Sequence, residues 1–314
     1  MADRIVVTPG DPRGIGPEVA LRSLELIARE RPEAPVTIIG PDGPMSPDEL
    51  RGLPSRFDAW SDAAAGAWAA ESIEHAVALA LRGEVRAIVT APLHKPSLHA
   101  AGRRFPGQTE MLARLAGAER VGMLMAAERT RLGAPLRVLL ATTHLPLREV
   151  ADAVTTPLLE EQIGLLDGAL RADWGMPTPR IMVCGLNPHA SDGGLFGDEE
   201  ARVFEPAVRA ARGRGIDVQG PLPADTVFGR ALAGACDAVV APYHDVGMAA
   251  FKTVAFGSGV NVTLGLPFVR TSPDHGTAFD IAGTGSADPA SMLEAIRLAS
   301  TLAHNRFDTP SVHV

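Results

Sequence analysis

Three histidines, His144, His189 and His244, each follow a short apolar run: LRVLLAT, RIMVC and DAVVAP respectively. Apolar β-branched runs of this length read as buried strands. All three imidazoles therefore belong at or just beyond strand C-terminal ends, the edge where ligands gather in parallel α/β sheets. Three neutral imidazoles with an open fourth position make a usable catalytic site for zinc or a similar cation. Asp245 adjoins His244, and Asp225 lies in GPLPADT. Both carboxylates suit the fixing of ring tautomers and the offsetting of cation charge. Either one, or a water, can take up a proton.

Cationic and amide groups come next. Lys252, Asn261 and Arg270 fall in a stretch crowded with glycine and proline, ahead of Asp274 and His275. Arg270 directly follows the apolar VNVTLGLPFV, where an unpaired guanidinium is costly. A phosphate or carboxylate is its economical partner. The need is local, because the chain as a whole is acidic: 29 Lys and Arg against 37 Asp and Glu give a net charge of −8. That balance argues against a nucleic-acid partner.

These groups need a scaffold, and 314 residues at 46% hydrophobic can supply the core of one large domain or two joined ones. No apolar run approaches the roughly 18 residues of a membrane span. The opening MADRIVVTPGD lacks a charged-then-apolar signal pattern. The expectation is a cytoplasmic protein with no membrane partner. Cys184 and Cys236 sit in apolar runs and read as core thiols.

The scaffold itself is periodic. RIVVT, the loop PGDPRGIGPE and the helical VALRSLELIARE make a strand, a tight loop and a helix. The loop is GxxxGxG-like and carries no Rossmann fingerprint. Pro17 suits a first helical turn, and Glu18 suits its positive end. Further strands are expected at 36–40, 85–90, 121–126, 136–142, 180–184 and 237–242. Helices are expected at 62–82, 156–172, 198–212 and 288–305, with one more opened by Thr109 as N-cap. Strands alternating with helices predict an α/β fold with a largely parallel sheet. On residues alone, a dehydrogenase, a metal-dependent lyase or hydrolase, and a non-catalytic anion-binding protein all remain open.

The motifs TPGDPRGIGPE, TAPLHK, PGQTE, ATTHLPL, GLNPHASDGG, GPLPADT, YHDVGM and GVNVTLGLPFVRTSPDHGTAFDIAGTG span essentially the whole chain. Together they resemble the 4-hydroxythreonine-4-phosphate dehydrogenase family of pyridoxine biosynthesis. The resemblance implies two α/β subdomains flanking a cleft, as in isocitrate and isopropylmalate dehydrogenases. We expect residues 1–106 with 276–314 as one subdomain, and 107–275, with most of the metal and substrate residues, as the other. It also implies a homodimer with its active sites at the interface. The cofactors implied are NAD, with NADP as the alternative, and a divalent metal, zinc ahead of cobalt, manganese or magnesium.

Carried over by motif, the metal ligands are His144, His189 and His244. The substrate-binding residues are Thr109, Lys252, Asn261 and Arg270, joined by Gln108 where the family has histidine (PGQTE for GHTE). A glutamine still donates a hydrogen bond but carries neither a proton nor a charge. The implied reaction is oxidation, with decarboxylation, of 4-hydroxythreonine 4-phosphate or a close 4-phosphorylated hydroxy acid. Related enzymes act on threonate or erythronate 4-phosphate, and others on aromatic cis-dihydrodiols. The retained Lys, Asn and Arg favour a phosphorylated substrate.

Overall fold

A computed structural model describes residues 4–30, 36–53 and 59–308. The first strands and helices alternate as their periodicity dictates: β1 (Ile5–Thr8), α1 (Gly16–Glu30), β2 (Val36–Gly40), a short β3 (Gly43–Met45), α2 (Pro47–Gly52), α3 (Asp62–Leu81), β4 (Ala87–Thr90), α4 (Lys95–Ala100) and α5 (Gln108–Ala116). Next come β5 (Gly122–Ala127), β6 (Leu136–Leu140), α6 (Leu147–Ala153), α7 (Thr156–Ala172), β7 (Arg180–Cys184), α8 (Glu205–Gly213), β8 (Asp217–Leu222), α9 (Ala224–Leu232), β9 (Ala238–Ala241) and α10 (His244–Ala255). The chain ends on β10 (Val260–Leu264), β11 (Val269–Pro273) and α11 (Ala290–Asp308).

Two compact units result: Met1–Val121 with Val260–Val314, and Gly122–Gly259. The chain crosses between them at the starts of β5 and β10, with no tether. These boundaries differ from the expected 106/107 and 275/276. The reason is that β10 and β11 return to pair within the first unit, where β11 lies parallel to β4 and antiparallel to β10. Gln108, Thr109, Asn261 and Arg270 therefore belong to the first unit.

Strand order in the first unit is β3-β2-β1-β4-β11-β10, and in the second β5-β6-β9-β7-β8. Most pairs are parallel; β2/β3, β10/β11 and β5/β6 are antiparallel. Parallel strands covered on both faces read as unbroken apolar runs. The wholly buried IVVT, AIVT and AVVA of β1, β4 and β9 fit that rule. Val6, Ile39, Ile73, Ile88, Met111 and Phe268 share one core, and Val138, Met182, Val239, Phe228 and Phe251 share the other.

Two expected helices are corrected. The helix expected with Thr109 as N-cap begins two residues earlier, with Gly107 as N-cap and no side-chain cap, for a reason given by the contacts of Gln108. The helix expected over 198–212 is divided. Glu200–Phe204 forms a π-helical turn, and α8 starts at Glu205 with Pro206 in its first turn. Proline has no N–H to give the preceding turn, so the wider turn absorbs the break. The PGDPRGIGPE glycines are taken up by packing: a Cβ on Gly10 or Gly16 would lie 2.1 Å from the carbonyl oxygen of Pro92 or Pro9. Glu18 does more than complement the α1 dipole, since it accepts from the N–H groups of Gly283 and Ala287. No helix among the described residues is long and apolar enough to cross a membrane.

Candidate functional site

In the second unit, β6 and β9 run side by side and their pairing continues past both strand ends. Ala141 N–H donates to the Ala241 carbonyl at 2.8 Å, and both Thr142 N–H and Thr142 Oγ1 donate to the Pro242 carbonyl, at 3.2 and 2.7 Å. Each chain reaches its histidine two residues later, so His144 and His244 emerge together. Their ring centroids lie 5.6 Å apart. Helix α10 opens on His244 and packs tightly on the sheet: a Cβ on Gly247 would sit 2.5 Å from Leu140 Cδ2. The two rings line a cleft of about 140 Å³ with Thr142, Thr143, Tyr243 and Asp245.

Asp245 Oδ1 lies 2.7 Å from His244 Nδ1. That contact assigns the ring proton to Nδ1 and leaves the Nε2 lone pair available. Burial, reinforced by the Asp245 charge, raises the pKa of Tyr243, so its phenol stays protonated near neutrality. Lys252 is half-buried two turns further along α10.

His189 stands on different terms. It opens a left-handed turn in which His189, Ala190, Ser191, Asp192 and Gly193 all have φ between 45° and 70°. Each non-glycine residue there costs roughly 1–2 kcal/mol, and such conformations persist where the surroundings over-determine them. The His189 side chain is largely exposed, with Asp225 Oδ2 at 4.0 Å from Nδ1. His144 also has positive φ, at 50°. Among the described residues, no three His, Cys, Asp or Glu side chains converge closely enough to hold a metal.

The donor chemistry still fits a borderline cation. Two imidazoles on one zinc, at Zn–N of about 2.0–2.1 Å, put their centroids roughly 5 Å apart, close to the His144–His244 separation. His189 lies outside that pair. Cys184 and Cys236 offer no competing thiolate: both are buried, and burial raises their pKa values to about 12 and 11.

The first unit holds a buried guanidinium. Arg270 on β11 is 3% exposed. Strand register puts it opposite Ile88, with Asn261 opposite Ser272 and Thr8 opposite Thr90. Alternation then points Thr8, Thr90, Asn261, Arg270 and Ser272 to one face. Arg270 Nη1 donates to Thr263 Oγ1 at 2.9 Å, and Nη2 donates to Thr90 Oγ1 at 2.7 Å and Gln108 Oε1 at 2.9 Å. All three acceptors are neutral.

Arg270 Nε and Asn261 Oδ1 are buried with no partner. Burial lowers the Arg270 pKa to about 10, against a partial opposing pull from Glu110. Gln108 Nε2 donates to the Ala91 carbonyl at 2.9 Å, so its amide orientation is fixed from both sides. This recruitment of Gln108 explains the early start of α5 and leaves Thr109 as its second residue. Thr90 and Thr263 were not singled out by the sequence. Their signal was a lone hydroxyl at the end of the strand AIVT and within VNVTL.

A family model for pyridoxal phosphate biosynthetic protein PdxA matches residues 49–299. The 4-hydroxythreonine-4-phosphate dehydrogenase of Chromobacterium violaceum is 45% identical over 326 residues, covering 95% of this chain and 96% of that protein. The D-threonate 4-phosphate dehydrogenase of Salmonella typhimurium is 46% identical over 292 residues, covering 93% and 85%. A crystal structure of 4-hydroxythreonine-4-phosphate dehydrogenase from Klebsiella pneumoniae superposes with a TM-score of 0.81 at 42% identity, covering 96% of this chain and 98% of that one. A β-decarboxylating dehydrogenase from Thermococcus kodakarensis, 15% identical, shares the fold with a TM-score of 0.52.

Proposed function

The chain belongs to the PdxA family and is a dehydrogenase, and on that premise we propose that it oxidises a 4-phosphorylated hydroxy acid with NAD. The carrying observation is Arg270: a buried guanidinium held by neutral groups, with Nε unmet. A phosphate or carboxylate oxygen supplies the missing partner. Asn261 is a further polar contact of this reading in the same unit, Thr109 adds a hydroxyl in the first turn of α5, and Lys252 of the other unit is read as a substrate-binding cation. An aromatic dihydrodiol with no phosphate leaves that cationic pocket less well matched.

The substrate carries a secondary alcohol between a carboxyl-bearing carbon and a phosphorylated methylene. Its C–H leaves as hydride, its O–H proton passes to Asp225, Asp245 or water, and the β-keto acid product loses carbon dioxide. NAD, when bound, supplies the hydride acceptor. The glycines of PGDPRGIGPE are committed to packing, so the nucleotide is not assigned to them.

A divalent cation, zinc first, is assigned to His144 and His244 with His189 as third donor. When bound, it supplies Lewis-acid stabilisation of the developing alkoxide. Asp245 keeps Nε2 of His244 free to donate, and Tyr243 offers a protonated phenol to the same cleft. His189, exposed and apart from the pair, suits a site shared by two copies of the chain. The reading therefore includes a homodimer with interfacial active sites, in the cytoplasm.

Two relatives of nearly equal identity act on 4-phosphorylated acids with and without an amine. The neutral Gln108 next to Arg270 favours the acid without one, D-threonate 4-phosphate, as the second reading. The test is NADH formation by metal-replete enzyme with 4-hydroxythreonine 4-phosphate, D-threonate 4-phosphate and an aromatic cis-dihydrodiol. Turnover of a phosphorylated acid is expected; turnover of the dihydrodiol alone sinks the proposal.

A further inference from the structure

We propose that Glu200 is a positioning residue whose buried carboxylate holds the left-handed turn that presents His189. Glu200 is 2% exposed. Its Oε1 accepts from the N–H groups of Leu186 at 2.8 Å and Asn187 at 2.7 Å. Its Oε2 accepts from Asn187 Nδ2 at 2.9 Å and from Ser191 Oγ. One carboxylate therefore anchors the chain on both sides of His189, at residues 186–187 before it and at 191 after it. Burial opposes the charge, and these hydrogen bonds outweigh burial and lower the Glu200 pKa.

Other bonds tie the turn on one side of His189 or within it: Asn187 Nδ2 also donates to Glu199 Oε2 at 2.7 Å, Ala190 N–H to the Asn187 carbonyl at 3.1 Å, and Phe196 N–H to the Ser191 carbonyl at 3.2 Å. Glu200, by contrast, takes side-chain and backbone donors from both sides. The His189 ring is largely exposed, and its ion-pair neighbour, Asp225, is at 4.0 Å. Its position is inherited from the backbone. Four of the five left-handed residues have side chains, so the turn needs an external restraint. Glu200 is itself fixed at the head of the π-helical turn, whose Val203 and Phe204 are buried. The wider turn rotates Glu200 out of register with α8 and into the loop.

The inference rests on reading His189 as a cation ligand, and the experiment separates the two. Zinc affinity by chelator competition and the visible absorption of the cobalt(II) protein are measured for wild type, Glu200→Gln, Ser191→Ala, His189→Ala and the Glu200→Gln/His189→Ala double variant. Melting temperature establishes that each is folded. Partners that orient a ligand typically contribute 10- to 100-fold in metal affinity. Glu200→Gln should lose that much, and its cobalt band should change as it does in His189→Ala. Ser191→Ala, which releases one anchor and spares Glu200, should lose less, and it carries the test if Glu200→Gln does not fold. The double variant should bind no more weakly than His189→Ala, because both act through one group. Wild-type affinity and cobalt spectrum in folded Glu200→Gln or Ser191→Ala, with both lost in His189→Ala, overturn the positioning role and leave the ligand reading standing. Wild-type zinc binding in His189→Ala overturns both.

Discussion

Arg270 in one unit and Glu200 in the other are buried charges whose described hydrogen-bond partners are all neutral, yet their surroundings treat them in opposite ways. Glu200 collects four donors on two oxygens and is held ionised. Arg270 donates to three neutral acceptors, keeps one N–H unmet and is pushed down to about 10. A charge satisfied by its own chain is structural, because its partners are already in place. A charge left short awaits a ligand. Counting partners, more than counting charges, separates a charge that serves its own unit's fold from one suited to a ligand.

The largest effect should come from breaking the grip. Arg270→Met should weaken binding of a phosphorylated substrate by about 2–5 kcal/mol, or roughly 30- to 5000-fold, because a buried charged contact is lost. Its effect on the ligand-free fold should be small or favourable. Lowering of the folded pKa of a base means that folding disfavours the charged form. The penalty holds at every pH below about 10 and is relieved only as pH rises through that value. At 1.36 kcal/mol per unit it is about 3 kcal/mol, similar to the three hydrogen bonds the variant gives up. A substantial drop in melting temperature without ligand would put Arg270 in the same class as Glu200.

Glu200→Ala should do the reverse. It removes the acceptor of the Leu186 and Asn187 N–H groups and of Ser191 Oγ in and beside a strained turn, while Asn187 Nδ2 keeps Glu199, so unfolding free energy in denaturant should fall by about 2–4 kcal/mol. Substrate affinity at the Arg270 pocket should change little. If stability is unaffected, the hydrogen bonds seen around Glu200 are not what holds the turn.

Acid sharpens the same contrast. A carboxylate whose folded pKa is depressed contributes stability above its ordinary value of 4.5 and loses it as pH falls through the lower folded value. Denaturant unfolding of wild type should therefore lose stability below about pH 4.5 more steeply than Glu200→Gln. Parallel acid limbs would show that the carboxylate is not ionised in the fold.

Much of this arrangement was legible, and the exceptions share a cause. The three histidines stood out because RIMVC, LRVLLAT and DAVVAP announce their strands locally. Arg270 was flagged by the cost of a guanidinium after VNVTLGLPFV. Its partner Thr90 lies 180 residues away in sequence, and no local pattern brings β11 beside β4. The same return of the chain moved the domain boundary, since β10 and β11 looked like a glycine- and proline-rich loop. Glu200 was hidden in GDEE, which reads as a solvated acidic run. The N-cap expected at Thr109 lies two residues earlier, at Gly107, because a cap motif cannot show that the residue before it is held by an arginine.

The smallest predicted effect tests that arginine's amide support. Neutral histidine in Gln108→His can reproduce both hydrogen bonds, donating to Ala91 and accepting from Arg270. Protonated histidine cannot accept, and it sets a second cation beside a buried one. KM for the phosphorylated substrate should rise by about tenfold in the variant as pH falls through the imidazole range near 6.5, relative to wild type. An identical pH profile would mean that Gln108 does not support Arg270.

Cys184 closes β7 just before the turn that carries His189, and its pKa of about 12 reflects burial first and then the field of Glu200. At neutral pH the thiol therefore stays protonated. The carboxylate that organises the turn thereby helps keep a neighbouring sulfur inert towards peroxide and alkylating reagents. An enzyme built this way should retain its activity under oxidative conditions that disable proteins relying on exposed, low-pKa cysteines.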